Sequence, residues 1–186
     1  MRRFAPWGGR VGVLLFLPLV GYAGLIGLRA LYPIAYTQQL IALAEEHALE
    51  PEIVAAVVRC ESRFRADALS PKGAIGLMQI MPETGAWIAQ QLGISDFGVE
   101  RLYEPDLNLR CGVAYLRYLL DRFGDWNDAL AAYNAGPSNV ERWQGDPSSV
   151  FPETRTYVQR VLGSVPVYRF FLSAPWLLSI TPSLLF

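Results

Sequence analysis

The chain has 186 residues, 52% of them hydrophobic, with Lys+Arg 16 against Asp+Glu 17 and a formal net charge of -1. That length allows one domain with a full core plus appendages, and no basic run has the density that a nucleic-acid partner requires. A single His47 and two cysteines argue against a histidine-built metal site and against a four-thiolate zinc site, so neither metal nor cofactor is expected.

The first element is membrane-like. Residues 11–28 carry no charge over 18 positions; as a helix they span about 27 Å, close to the roughly 30 Å hydrocarbon core of a bilayer. Arg2, Arg3 and Arg10 precede the run and only Arg29 follows it closely. The positive-inside bias therefore keeps residues 1–10 in the cytoplasm and exports the rest. A cleaved signal peptide is the competing reading, with Gly21-Tyr22-Ala23 as a small-x-small site. An uncleaved signal anchor is preferred because the apolar run continues past that site. In an exported domain Cys60 and Cys111 form either one disulfide or a pair of small buried hydrophobes; spacing does not choose.

From Thr37 the apolar pattern is helical, with Leu40, Ile41, Leu43, Ala44 and Ala48 on one face. Pro51 suits the first position of a second helix to about Arg63, whose stripe is Ile53, Val54, Val57 and Val58. Ser70 to Gly73 reads as a turn, and short extended pieces from Ala74 to Ile80 can pair locally. Pro82 opens a helix to about Leu92 capped by Gly93; Asp106 to Phe123 is the longest pattern, with Gly124 beyond it. Asn127 is placed to cap a helix through Tyr133, Ser138 to Trp143 forms another, and Glu153 to Leu162 is the last, ending at Gly163. Residues 164–186 are an apolar tail of unknown role whose prolines at 166, 175 and 182 argue against one spanning helix. The architecture expected is a mainly α domain over residues 36–163, preceded by a transmembrane helix.

Glu61 stands out. It lies three, four, seven and eight residues after Val58, Val57, Val54 and Ile53, so an acid closes the C-terminal end of a buried stripe. Desolvation and the negative end of the helix dipole both raise the pKa there, which is what a general acid near neutral pH needs. Position alone also suits an ordinary solvated glutamate paired with Arg59, Arg63 or Arg65.

The surrounding motifs decide. Glu61-Ser62-Arg63-Phe64 is followed by Ser70-Pro71-Lys72-Gly73-Ala74-Ile75-Gly76-Leu77-Met78-Gln79-Ile80-Met81-Pro82, then by Pro105, Asn108, Gly112 and Tyr115-Leu116, by Ala132-Tyr133-Asn134-Ala135-Gly136, and by Glu153-Thr154-Arg155-Thr156-Tyr157-Val158. This ordered set resembles the soluble lytic transglycosylase family, relatives of goose-type lysozyme, over about Tyr36 to Leu162. The resemblance implies a lysozyme-like helical fold with Glu61 as catalytic acid/base. It implies that the Tyr133 hydroxyl bonds that glutamate and that Ser70 sits near the reacting N-acetyl group. Gln79 and Met81, with Met78 and Asn134 beside them, are the implied substrate-groove residues, and Asn108 and Glu153 line the same cleft. Phe64, Trp87, Tyr115, Tyr118 and Trp143 are read as core.

Most glycosidases use two carboxylates; here Asp67, Glu83, Glu104, Asp106 and Glu153 sit in turns or first helical turns, where capping explains them. One carboxylate suffices if the substrate's own N-acetyl group attacks its anomeric carbon. The resemblance implies this reaction on peptidoglycan glycan strands: cleavage of the MurNAc-β-1,4-GlcNAc bond with closure of a 1,6-anhydro ring. The rival readings are a hydrolytic muramidase on the same scaffold, a catalytically silent wall-binding module, and a membrane protein whose soluble part is purely structural.

Overall fold

The computed structural model describes residues 21–179 apart from 144 and 145. The described residues are mainly helical, and their only β features are the isolated bridges Leu69 to Ile75 and Ile75 to Ile80, the local pairing expected there. The helices are α1 (residues 21–31), α2 (Thr37–Glu46), α3 (Pro51–Glu61), α4 (Pro82–Gln91), α5 (Pro105–Phe123), α6 (Trp126–Ala135), α7 (Pro137–Trp143), α8 (Pro152–Ser173) and α9 (Trp176–Ser179). Single 3₁₀ turns occupy Val99–Tyr103 and Pro147–Ser149. Helices α3, α4, α5, α7 and α8 all begin at a proline, where the missing N–H is one the helix would not have used.

Helix α3 is the centre. Val54, Ala55, Ala56, Val57 and Val58 are all fully buried, so burial extends beyond the stripe read from the sequence. Its main neighbour is α8, and α2 packs on both α3 and α5. Each buried valine contributes about 1.5–3 kcal/mol.

Among the boundaries that differ from the sequence reading, three have a clear physical cause. Helix α3 stops at Glu61 rather than Arg63, because Arg63 and Phe64 adopt left-handed backbone (φ 55° and 65°). The cap of α6 is Asp125, whose carboxylate accepts from the backbone N–H of Asn127 (2.8 Å) and Asp128 (3.1 Å), rather than Asn127. The last long helix passes Gly163 and continues to Ser173 with Pro166 inside it. Tyr168 and Phe171 are fully buried beyond that point, and this burial outweighs the lost helical hydrogen bond.

Among the described residues no helix is long and apolar enough to cross a membrane. Residues 1–20, which hold the cytoplasmic segment and most of the run expected to span, lie outside the described residues, as do residues 180–186 of the tail. Cys60 and Cys111 are free thiols.

Candidate active site

Glu61 is the last residue of α3. The next residue, Ser62, is buried, and its hydroxyl donates to the carbonyl of Leu77 (2.8 Å). That bond pins the helix end to the loop following it. Two consecutive left-handed residues then turn the chain away, at a cost of roughly 1–2 kcal/mol each; burial of Phe64 and the bond from Arg65 Nε to the Ser62 carbonyl (3.2 Å) offset it. The glutamate is thus held at a helix terminus whose backbone cannot swing.

Glu61 is part-buried. The Tyr157 hydroxyl, from α8, donates to Oε1 at 2.6 Å. Burial raises the Glu61 pKa from 4.5 to about 7, while the Tyr157 hydrogen bond and the positive charge of Arg160 pull it back down. Burial also pushes the phenols of Tyr133 and Tyr157 well above their ordinary range, with the Glu61 charge adding to it. Both tyrosines therefore stay protonated donors at any physiological pH.

Tyr133 plays a different part from the one expected. Its hydroxyl donates to the Met78 carbonyl (2.7 Å) and the Glu61 partner is Tyr157. Tyr133 holds the loop over residues 75–80, and Tyr157 holds the acid. Asn108 likewise does not line the cleft. It is fully buried: its Oδ1 accepts from the Met78 N–H (2.8 Å), and its Nδ2 donates to the carbonyls of Ile75 (2.8 Å) and Leu102 (2.7 Å). A side chain with every polar atom paired inside the protein is a clamp. Gly76 makes room for it, since a Cβ there, at φ 77°, would stand 2.5 Å from the Leu102 carbonyl. Met78 is also fully buried and packs on Gly112 of α5, where a Cβ would approach the Met78 Cβ to 2.7 Å.

Gln79, at φ 49°, donates from Nε2 to the carbonyls of Ala68 (3.2 Å) and Gly76 (3.0 Å), leaving its carbonyl oxygen as the acceptor it can offer outside. The Ser70 hydroxyl accepts from the Ala74 N–H (2.9 Å) and closes the turn that starts this loop. Met81 is 42% exposed at the N-terminus of α4. Asn134 and Glu153 are exposed; Asn134 Oδ1 accepts from the buried Thr154 hydroxyl (2.9 Å), which ties α6 to the first turn of α8.

An aromatic row leads from Tyr133 to the surface. The ring centroids of Tyr133 and Tyr115 lie 5.5 Å apart, Tyr115 and Tyr118 stack at 6.2 Å, and Trp87 meets Tyr118 edge-on at 4.8 Å. Trp87 is 37% exposed, so the rings read as core in the sequence reach solvent at one end. A separate groove of about 400 Å³ is lined by Asn127, Asp128, Trp143, Arg155 and Gln159 among others, and Glu61 is not part of it. Arg155 and Gln159, two residues either side of Tyr157, stand on the opposite face of α8. Among the described residues no group of three or more His, Cys, Asp or Glu gathers as a metal site would need.

A helical fold that seats one protonatable carboxyl at a helix end defines the lysozyme-like class. The chain belongs to the Transglycosylase SLT domain family, whose model matches residues 38–152. It is 36% identical over 154 residues to the soluble lytic murein transglycosylase of Salmonella typhimurium, covering 76% of this chain and 24% of that one. It is 36% identical over 124 residues to the transglycosylase of Enterobacteria phage PRD1, covering 67% and 40%. The lytic transglycosylase Slt of Pseudomonas aeruginosa, solved as an inactive mutant with glutamine in place of a glutamate, superposes with TM-score 0.72 at 36% identity over 77% of this chain and 25% of that one. The 70 kDa soluble lytic transglycosylase of Escherichia coli gives TM-score 0.73 at 33% identity over 78% and 26%. The chain spans about a quarter of the length of these cellular relatives.

Proposed function

We propose that this chain is a peptidoglycan lytic transglycosylase that cleaves the MurNAc-β-1,4-GlcNAc bond, leaves a 1,6-anhydro-MurNAc end, and uses Glu61 first as acid and then as base. The observation that carries the reading is the carboxyl itself: part-buried, raised to about 7, and fixed by Tyr157. A protonated Glu61 delivers its proton to the departing GlcNAc oxygen. The N-acetyl carbonyl of MurNAc attacks the anomeric carbon, so no second protein carboxylate is needed. The Glu61 carboxylate then takes the proton of the C6 hydroxyl, whose oxygen closes onto the anomeric carbon and expels the acetamido group. The proton count returns to its start and no water is consumed.

Tyr157 aims the carboxyl and Tyr133 holds the loop that carries Gln79 and Met81. Gln79 offers its carbonyl oxygen to sugar hydroxyls or to the N-acetyl N–H, with Ser70, Asn134 and Glu153 as further polar contacts. Met81 and the Trp87-Tyr118 edge supply the apolar surface on which pyranose faces pack. Relatives named as lytic murein transglycosylases support this assignment, as does the P. aeruginosa relative that a glutamate-to-glutamine change inactivates.

The membrane placement belongs to the same reading: residues 11–28 form the signal anchor, and the catalytic domain stands outside the cytoplasm. The described part of α1 supports it, because residues 21–24 are helical, uncharged and exposed.

Mass spectrometry of digested peptidoglycan tests the chemistry. Anhydro ends, lighter by one water than reducing ends, are expected; reducing ends would mean a hydrolytic muramidase. Glu61→Gln should abolish product with the fold intact by circular dichroism, and a variant that keeps most activity would remove Glu61 from the mechanism.

A further inference from the structure

We infer that the C-terminal end of α8 and α9 is a second lipid contact, lying at the bilayer surface beside the N-terminal helix, so that the domain stands on the membrane at two places. The inference rests on the reading of residues 11–28 as a membrane anchor.

The sequence has two uncharged ends. Residues 11–28 end at Arg29, and residues 170–186 begin just after Arg169. Nothing in the sequence requires these limits to coincide in space, but they do. The Arg29 guanidinium sits 5.4 Å from the ring centroid of Phe171. Three residues further along α1's path, Tyr32 meets Tyr168 at 6.1 Å, and the Tyr168 hydroxyl donates to the Pro33 carbonyl (2.7 Å). A step from 32 to 29 on one helix thus matches a step from 168 to 171 on the other, so the two run antiparallel. The N-terminal end of α1 and the C-terminal end of α8 therefore lie at the same end of the domain.

The surface at that end is apolar where a water-facing surface would be polar. Leu31 is 60% exposed, Phe170 50%, Trp176 64% and Tyr22 42%. Tryptophan such as Trp176 sits at the level of lipid headgroups, while Tyr22 belongs to the span itself; Arg169 is exposed and bridged to Glu52 (2.8 Å). The Arg29–Phe171 contact marks the water–lipid boundary. The sequence holds no acid before Glu45 and none after Glu153; the carboxylate that reaches this end in space, Glu52, is paired with Arg169. Tyr157 lies on the first turns of the helix that ends at Ser173. At 1.5 Å per residue along α8 from Phe171, this puts the catalytic carboxyl roughly 21 Å from the boundary, and the second contact fixes its height and tilt.

The test uses the full chain in vesicles of phosphatidylethanolamine and phosphatidylglycerol, with an environment-sensitive fluorophore on Trp176→Cys in a Cys60→Ala background and nitroxide-labelled lipids as quencher. Tyr103→Cys, on the 3₁₀ turn before α5, is the water-facing control, and Phe170→Cys is a second reporter should the first variant fold poorly. Co-flotation of the chain with quenching about threefold greater at 176 or 170 than at 103 is expected for an interfacial residue. Co-flotation with equal quenching at all positions overturns the second contact and leaves the anchor standing. Failure to co-float removes the anchor and this inference together. Energy transfer between labels at 176 on two chains without lipid quenching replaces the lipid by a second copy and also overturns it.

Discussion

A carboxyl raised to about 7 makes Glu61 a stability determinant as well as a catalyst. Its folded pKa lies above its unfolded value, so between about pH 4.5 and 7 the native state binds the extra proton and stability falls as pH rises. The full shift corresponds to at most about 3 kcal/mol. Glu61→Gln removes the titration, so urea denaturation from pH 5 to 8 should show wild type losing stability and the variant losing much less. Activity should fall over the same range as the acid form disappears. The two tyrosines separate in the same profile. Tyr157→Phe removes a donor that favours the carboxylate; the alkaline limb should move up and turnover should drop about 10- to 100-fold, as for loss of an aligning hydrogen bond. Tyr133→Phe should leave the limb in place and act on KM, because its hydroxyl bonds the Met78 carbonyl. Wild-type pH dependence in Tyr157→Phe would contradict this assignment. The fixed period of a helical stripe drew attention to Glu61, and the motifs around it chose it over an ordinary solvated glutamate. Neither fixed which tyrosine bonds it: Tyr133 and Tyr157 lie on α6 and α8, and the choice depends on how those helices cross α3, which no spacing encodes.

At the scale of elements, the loop over residues 75–80 is the piece that the sequence motif names and the structure explains. It has one short bridge of its own, Ile75 to Ile80, and a second to Leu69, and is held further by Ser62, Asn108 and Tyr133. Asn108→Ala would leave the Met78 N–H and the Leu102 carbonyl without their partner, while the Ile75 carbonyl keeps the Ile80 N–H (2.9 Å). At about 1–3 kcal/mol for each of these two unsatisfied buried groups, a loss of roughly 2–4 kcal/mol is expected after partial relaxation. Thermal unfolding checks it: a fall of a degree or less would mean the clamp does not matter. The starts of α3 and α4 were legible because proline at the first position is a local signal, while those of α5, α7 and α8 were read one residue late, just after their prolines. The end of α3 was not legible, because Arg63 and Phe64 are ordinary helix residues forced left-handed by contacts fifteen residues away, chiefly Ser62 with Leu77. The same limit applies to Asn108 and Met78, whose place in the motif reflects what they hold rather than what they touch outside.

For the whole molecule the decisive element is α8. The family match stops at residue 152, where α8 begins, yet this helix supplies Tyr157 to the acid and Tyr168 and Phe171 to the core. Sequence signals argued for an end at Gly163, since glycine and proline are the usual terminators; side-chain burial against α1 and α3 overrode both. Two expectations follow from that competition. Pro166 is exposed within the helix, so Pro166→Ala should restore a backbone bond and stabilise the fold by about 1–3 kcal/mol in urea denaturation. A chain ending at Gly163 keeps Tyr157 but loses two large buried rings, each contributing about 1.5–3 kcal/mol, together with the surface on which α1 docks. Against a total stability of about 5–15 kcal/mol, such a chain should melt well below the full protein and lose activity at temperatures where the full chain retains it. If it melted at the same temperature by circular dichroism, residues 164–173 would be an appendage and the core would close at α8's midpoint.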